Sequence, residues 1–240
     1  MIIAPTMRRI ATFRELSDRL DQVVGVPFTE LRKYYSRSWT GEAKSNKGFS
    51  GNLVNLLLGA DAGSDPEPDI SSLGIEIKTI PIGDGPTVQW PTKVTSLNYS
   101  DLAVTSWPES ALFHKLRAVL FVPIVKYDRN SPERWYIRRP FMWLPSKPIL
   151  VQFEKDYNSI RNLVREHKFG DIHSGKPPGG QGVFLMAKPN AAKGNVRRVY
   201  EVNGEKFSLQ PKAWMLRESF TQPIVEVNLR LNLELGGFAK

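Results

Sequence analysis

The pattern of apolar positions predicts helices in the first sixty residues. In TFRELSDRLDQVV (residues 12–24) apolar side chains recur every three or four positions, which is the spacing of one helix face. PFTELRKYY (27–35) repeats that spacing and has a proline near the expected helix start. GNLVNLLLGA (51–60) is a compact apolar helix that we expect to end at Gly59.

A strand pattern follows the turn-rich segment AGSDPEPD (62–69). LGIEIKTIPI (73–82) alternates, so its isoleucines at positions 75 and 77 share one face. Glu76 and Lys78 then lie side by side on the opposite face. The alternation predicts a β-strand that carries a carboxylate and an ammonium group together.

The rest of the chain mixes strand and helix patterns. HKLRAVLFVPIV (114–125) ends in an apolar run typical of a buried strand, and RWYIRRPFMWL (134–144) is a second strand candidate. LVQFEKDYNSIRNLVREHKFG (150–170) is the clearest helix, and DIHSGKPPGGQG (171–182) is the clearest loop.

This element order predicts a mixed α/β, or α+β, fold. The 240 residues suit one domain or two closely joined lobes. If there are two lobes, we expect them to cover roughly residues 1–125 and 126–240.

Composition narrows the class of partner. Lys and Arg number 33 against 24 Asp and Glu, and the resulting net charge of +9 favours polyanionic partners. A generic basic protein is the alternative explanation of that charge. The absence of cysteine excludes disulfides, thiolate metal sites and a cysteine nucleophile. With no signal peptide or membrane-length apolar run, we expect a cytoplasmic location.

Asp69, Glu76 and Lys78 supply the parts of a phosphodiesterase. Two nearby carboxylates repel each other unless a cation lies between them, and oxygen ligands suit Mg²⁺. A lysine beside them can position a water or neutralise charge on a phosphate. The alternative is a solvated strand edge with a weak surface ion pair between Glu76 and Lys78.

The sequence NKGFSGNLVNLLLGADAGSDPEPDISSLGIEIKTIPI (46–82) resembles the MutH family of DNA endonucleases, which also contains restriction enzymes that cut at GATC. The likeness continues through SALFHKLRAVLFVPI, VFLMAKPNAA and PKAWMLRESFT. It implies a bacterial, nucleoid-associated enzyme with a restriction-endonuclease-like core and a PD-(D/E)xK centre, set between two lobes that clamp duplex DNA. The catalytic side would lie in residues 1–125, and the C-terminal DNA-reading elements in residues 126–240.

The resemblance also assigns roles to residues. It implies that Asp69 and Glu76 bind Mg²⁺, for which Mn²⁺ could substitute, and that Lys78 is the catalytic lysine. Lys115 matches a further lysine near the scissile phosphate. The KPNAA stretch falls where the family reads bases. The side chains we expect to contact DNA are Lys47, Lys188, Asn190, Lys193, Lys212 and Arg217.

Four positions depart from the family pattern. Asn55 stands where the family usually has a glutamate, which removes a negative charge near the metal and puts a second metal site in doubt. Its amide oxygen could still bind the metal or position a water in the catalytic site; a plain helix-surface residue is the alternative. Lys188-Pro189-Asn190 replaces an Arg-Pro-Lys loop, and a Lys lacks the bidentate fork that suits guanine. Met215, beside Trp214, stands where repair members have a methyl-sensing tyrosine; ordinary core packing is the alternative for this pair.

We therefore expect a Mg²⁺-dependent, sequence-specific DNA endonuclease that acts as a monomer or dimer. The charge and the altered methyl-sensing position favour a restriction role. Collinearity with repair enzymes favours the alternative, a strand-nicking enzyme activated by MutL. A DNA-binding module without catalysis is a further alternative. No nucleotide fingerprint supports a small-molecule enzyme.

Overall fold

The computed structural model describes residues 9–34, 48–60, 66–83, 85–128, 131–173, 182–190 and 196–236. Its helices are α1 (Phe13–Val23), α2 (Phe28–Tyr34), α3 (Phe49–Leu58), α4 (Tyr99–Val104), α5 (Ala111–Leu116), α6 (Lys147–Arg165) and α7 (Glu218–Gly236). Its strands are β1 (Glu76–Ile82), β2 (Thr92–Leu97), β3 (Val119–Val125), β4 (Tyr136–Ile137), β5 (Phe141–Trp143), β6 (Leu185–Pro189), β7 (Arg198–Val202), β8 (Glu205–Leu209) and β9 (Lys212–Leu216). These elements confirm the mixed α/β class. Within the described ranges, no helix has the length and apolar character needed to span a membrane.

The chain forms two compact units, and each is built from separate segments. The first unit contains the described residues of Met1–Trp90, Ala118–Trp143 and Gln222–Lys240. The second contains those of Pro91–Arg117 and Leu144–Thr221. This division differs from the single boundary near residue 125 that we expected, because β2 pairs with β9 from far along the chain whereas β3 pairs back onto β1.

The first unit is organised around a parallel strand pair. β1 and β3 run parallel in a register that joins Glu76 to Val119 and Ile82 to Val125. β3 also pairs antiparallel with β4 and with β5. β3 is buried along its whole length, as expected for a parallel strand covered on both faces.

Local hydrogen bonds fix the start of α1 and the end of α3. At α1, Thr12 Oγ1 accepts a hydrogen bond from the Glu15 N–H (3.2 Å), and the Glu15 carboxylate accepts one from the Thr12 N–H (3.1 Å). α3 ends as predicted at Gly59, which adopts the left-handed conformation (φ 65°). The Ala60 N–H then donates to the Asn55 carbonyl (2.9 Å), which closes the helix end.

The second unit contains a three-stranded antiparallel sheet in the order β2-β9-β6. Its middle strand places Trp214 on one face, where the indole stacks on Tyr157 of α6 at 5.7 Å between ring centroids. The core packing considered for Trp214 in the sequence is thereby confirmed. Alternation along β9 puts Met215 on the opposite face.

Two features of the strands differ from the sequence pattern. RWYIRRPFMWL forms two short strands, β4 and β5, interrupted by Arg138–Pro140. β7 and β8 form a hairpin that we did not predict. Its turn is Asn203-Gly204, both with positive φ (52° and 85°), and Asn-Gly between β-branched and aromatic residues is the signal that should have located it.

Candidate active site on strand β1

A small closed turn brings Asp69 next to Glu76. The backbones of Ile70 and Ile75 exchange two hydrogen bonds, of 2.8 and 3.2 Å, around the single 3₁₀ turn Ser71–Leu73. Gly74 closes the turn at φ 65°, a conformation that favours glycine. Because both isoleucines are buried in the core, the turn is fixed, and the seven-residue spacing places Asp69 opposite Glu76.

Direct hydrogen bonds orient the three predicted catalytic side chains. Asp69 Oδ2 accepts from the Ile77 N–H (2.9 Å), and Glu76 Oε2 accepts from the Asp69 N–H (3.2 Å). Lys78 Nζ donates to Glu76 Oε1 at 2.5 Å. The structure therefore places Asp69, Glu76 and Lys78 together in the first unit, each with a defined orientation.

The burial of these three side chains distinguishes the cluster from a surface ion pair. Asp69 is 4% exposed and Glu76 is 1% exposed, and the Lys78 side chain is 14% exposed. Further along the same face of β1, Ile80 and Ile82 are also buried. The solvated strand edge considered as the alternative is wrong for this pair, because a parallel strand is covered on both faces. Charged groups are rarely buried without a partner or a role.

The edge of β1 offers oxygen donors suited to a hard divalent cation. In the described sheet β1 pairs only with β3, towards which the Glu76 N–H points (3.0 Å to the Ala118 carbonyl). The backbone of Ile77 therefore faces the outer edge, where its N–H meets Asp69. Two carboxylates and an outward carbonyl fit Mg²⁺, which keeps several waters. Among the described residues no group of three His, Asp or Glu side chains forms a metal site, so a cation here would depend on waters and substrate oxygens.

Asn55 and Lys115 lie on helices. Asn55 is half-buried in α3, one helical turn after Gly51. A Cβ added at Gly51 would lie 3.8 Å from Thr79 Oγ1 of β1. α3 thus packs along the strand that carries the cluster. Lys115 belongs to the second unit, in the last turn of α5, and is 5% exposed. The catalytic roles expected for both residues stay predictions.

The residues expected to contact DNA have different surroundings in the second unit. Lys188 and Asn190 are exposed at the end of β6. Because side chains alternate along β9, Lys212 lies on the same face as Trp214. Burial lowers the pKa of Lys212. Arg217 is 8% exposed, and its Nε donates to the Gly182 carbonyl (3.1 Å). The DNA contacts of all four stay predictions, and the open position of Lys188 and Asn190 suits them best.

Two of the expected DNA contacts, Lys47 and Lys193, lie outside the described residues. Most of the predicted Gly- and Pro-rich loop over 171–182 does so as well.

The sequence did not indicate Lys93 as a candidate site residue. It lies exposed on β2, and its Nζ donates to Asn190 Oδ1 at 3.2 Å. Alternation in TKVTSL (92–97) was a weak signal for a strand with Lys93 facing outward, because Val94 and Leu97 are its only large apolar residues. The long-range contact with Asn190 has no signature in the sequence.

A second lysine of the first unit has an unusual environment. Lys126 follows β3, and its Nζ lies 4.0 Å from the centroid of the Trp135 ring and 3.4 Å from Ser50 Oγ. Burial lowers the pKa of Lys126 to about 8.

Comparison with known proteins agrees with this geometry. Residues 58–158, which include β1 and β3, match the family described as DNA mismatch repair enzyme MutH. A relative from Vibrio vulnificus (strain YJ016), named DNA mismatch repair protein MutH, is 30% identical over 218 residues, covering 90% of this chain and 93% of the relative. Relatives of the same name from Vibrio parahaemolyticus serotype O3:K6 (32% identity; 88% and 92% covered) and Shewanella woodyi (30%; 89% and 91%) align over a similar length. Since the similarity extends over nearly the full length of both partners, the chain belongs to the MutH family.

Proposed function

We propose that this protein is a divalent-metal-dependent endonuclease that hydrolyses phosphodiester bonds in duplex DNA, with Mg²⁺ as its metal. The observation that carries the proposal is the buried Asp69–Glu76–Lys78 cluster at the edge of β1, with Lys78 Nζ 2.5 Å from Glu76 Oε1. Membership of the MutH family supports the reaction class.

Each residue of the cluster has a separate task in this reaction. A bound divalent cation supplies charge neutralisation and polarisation at a phosphate oxygen. Asp69, held by the Ile77 N–H, and Glu76, held by the Asp69 N–H, would hold that cation through their carboxylate oxygens. Lys78 is a three-proton donor that uses one N–H on Glu76, and another N–H orients the attacking water.

Other parts of the proposal come from the resemblance. Asn55 would position a water beside the cluster, and Lys115 would stabilise charge on the phosphate. Lys47, Lys188, Asn190, Lys193, Lys212 and Arg217 would contact DNA. A DNA-binding cleft formed by two lobes and a cytoplasmic location also belong to the proposal.

Two biological roles fit this chemistry. The names of the relatives favour a repair role, in which the enzyme nicks one strand after activation by MutL. The departures at Asn190 and Met215 favour a restriction role with its own recognition site, because the first lacks the charge of a lysine and the second lacks a tyrosine hydroxyl.

The catalytic proposal predicts that Lys78→Met abolishes cleavage without abolishing binding. We expect the rate of plasmid cleavage in Mg²⁺ to fall at least about 100-fold, since a positioned proton donor typically contributes that much. DNA affinity in metal-free buffer should change little. Lys155→Met, an exposed lysine on α6, is the charge-matched control. Equal cleavage by the parent and Lys78→Met would refute the assignment, and no cleavage by the parent would favour a non-catalytic DNA-binding module.

The two roles are separated by substrate methylation and by MutL. Duplexes with unmethylated, hemimethylated and fully methylated sites are incubated with the protein, with and without MutL. The restriction role predicts double-strand cutting of unmethylated DNA by the protein alone. The repair role predicts slow nicking of the unmethylated strand that MutL accelerates. Strong double-strand cutting without MutL would exclude the repair role.

A further inference from the structure

The β2-β9-β6 sheet has one face that presents lysines. Strand pairing aligns Lys93 with Met215 and Met186, and it aligns Ser96 with Ala213 and Lys188. Alternation along β9 and β6, together with the register shift between Lys93 and Thr95 on β2, puts these six residues on one face. We call it the lysine face; it lies opposite the face where Trp214 packs on α6. Lys93, Ser96 and Lys188 are exposed there.

A side-chain contact crosses this face. Lys93 on β2 and Asn190 after β6 belong to the two outer strands, and the Nζ–Oδ1 distance between them is 3.2 Å. The contact therefore passes over the middle strand, where Ala213 contributes only a methyl group. The Asn190 backbone is fixed as well, because its N–H donates to the Pro211 carbonyl (2.9 Å).

This contact determines which half of the Asn190 amide is available. A lysine ammonium only donates hydrogen bonds, so the amide oxygen must be the atom that faces Lys93. The amide nitrogen, with its two N–H donors, then points away from Lys93. An unconstrained asparagine pairs with adenine by donating and accepting at once, whereas guanine presents two acceptors in the major groove.

We propose that Lys93 is a specificity-determining residue that holds Asn190 as a pure hydrogen-bond donor, so that the pair selects a guanine edge over adenine. The proposal rests on the proposed function, in which Asn190 contacts DNA. Lys93 acts both by orienting Asn190 and by adding a donor next to it.

The test reads base preference through binding alone. A pool of duplexes with randomised central positions is selected on protein carrying Lys78→Met, in metal-free buffer, and the bound sequences are compared among variants. Four variants each add one further change to the Lys78→Met protein. These changes are Lys93→Met, Lys93→Arg, Asn190→Ala and the exchange of Lys93→Asn together with Asn190→Lys. Lys155→Met is the control for lost charge, and melting temperatures verify folding.

The parent should prefer guanine at the position whose preference Asn190→Ala removes. Lys93→Met should lower the guanine-to-adenine preference there by about tenfold, the scale of one good base contact. Lys93→Arg, which still only donates, should keep the preference, and the exchange should restore it by returning an ammonium group to the same place.

Four results would overturn the proposal. An unchanged motif in Lys93→Met, or a loss of affinity that is uniform across sequences, would show that Lys93 does not select bases. An adenine preference in the parent at the Asn190 position would show that the amide is not held as a donor. Binding without any sequence preference in the parent would refute base reading itself.

Discussion

At the scale of single residues, hydrogen bonds from the backbone orient the two carboxylates of the cluster. The Ile77 N–H holds Asp69, and the Asp69 N–H holds Glu76. Both carboxylates therefore have fixed directions without relying on long, mobile side chains. The sequence predicted all three members of the cluster because Asp69, Glu76 and Lys78 are close along the chain.

Long-range contacts of single residues were not predictable in the same way. From the sequence alone, asparagine at position 190 shows only that the positive charge of the family's lysine is lost. In the fold, Lys93 lies 3.2 Å from that side chain although it is 97 positions away. Only the pairing of β2 and β6 with β9 brings the two residues together.

Lys126 gives a prediction about pH and stability. Burial lowers its pKa to about 8 from 10.5, so the folded protein binds fewer protons than the unfolded chain between these pH values. Stability should therefore rise as pH rises from about 8 towards 10.5, and the buried charge should cost stability below pH 8. Lys126→Met should be more stable than the parent at pH 7 by roughly 1 kcal/mol, less than the full shift implies, because partial exposure and Trp135 offset the cost.

Urea unfolding at pH 7 and at pH 9.5 measures this difference. The advantage of Lys126→Met should shrink at the higher pH, and Lys155→Met should show no such trend. A variant less stable than the parent at pH 7 would mean that the contact with Trp135 outweighs the cost of burial.

At the scale of elements, one carboxylate fixes the entry to β6. Asp156 of α6 accepts hydrogen bonds from the N–H groups of Val183, Phe184 and Leu185 at 2.7–2.9 Å. Gly182 precedes them with φ 52°, and a Cβ there would lie 2.2 Å from the Leu185 carbonyl oxygen. The strand that leads to Lys188 and Asn190 therefore begins at a rigid point.

Gly182→Ala should destabilise the protein by about 2–4 kcal/mol, because it combines a clash with backbone strain. Gly204→Ala is the matched control, since Gly204 also has positive φ (85°) but no atom of the described residues, its chain neighbours aside, lies within 4 Å of an added Cβ. Strain alone should cost about 1 kcal/mol in that variant. Chemical denaturation compares the two, and equal losses would show that the turn before β6 relaxes without cost.

At the scale of the whole molecule, the sequence predicted more of the elements than of their grouping. Helical spacing located α1, α3 and α6, alternation located β1, and a continuous apolar run located β3, because these signals are local. The two units could not be predicted from local patterns, because each joins distant segments through strand pairing. The boundary we placed near residue 125 follows chain order, and the observed division does not.

The net charge of +9 predicts how binding depends on salt. Affinity for a short duplex in metal-free buffer should fall steeply between about 50 and 200 mM salt, because bound cations are released from the DNA. Removing a lysine that contacts a phosphate should reduce the slope of log K against log salt by about 1. Lys188→Met and Lys155→Met provide the comparison in a fluorescence titration. A flat salt dependence would remove the electrostatic basis of the proposal.

The β7–β8 hairpin also has a practical consequence. The chain has no cysteine, so one introduced thiol would react with a fluorophore at a single position. Val199 on β7 is 68% exposed and pairs with Ser208 on a two-stranded ribbon outside both larger sheets. A dye attached through Val199→Cys would allow single-molecule observation of the enzyme on DNA while leaving β1 and the lysine face unmodified.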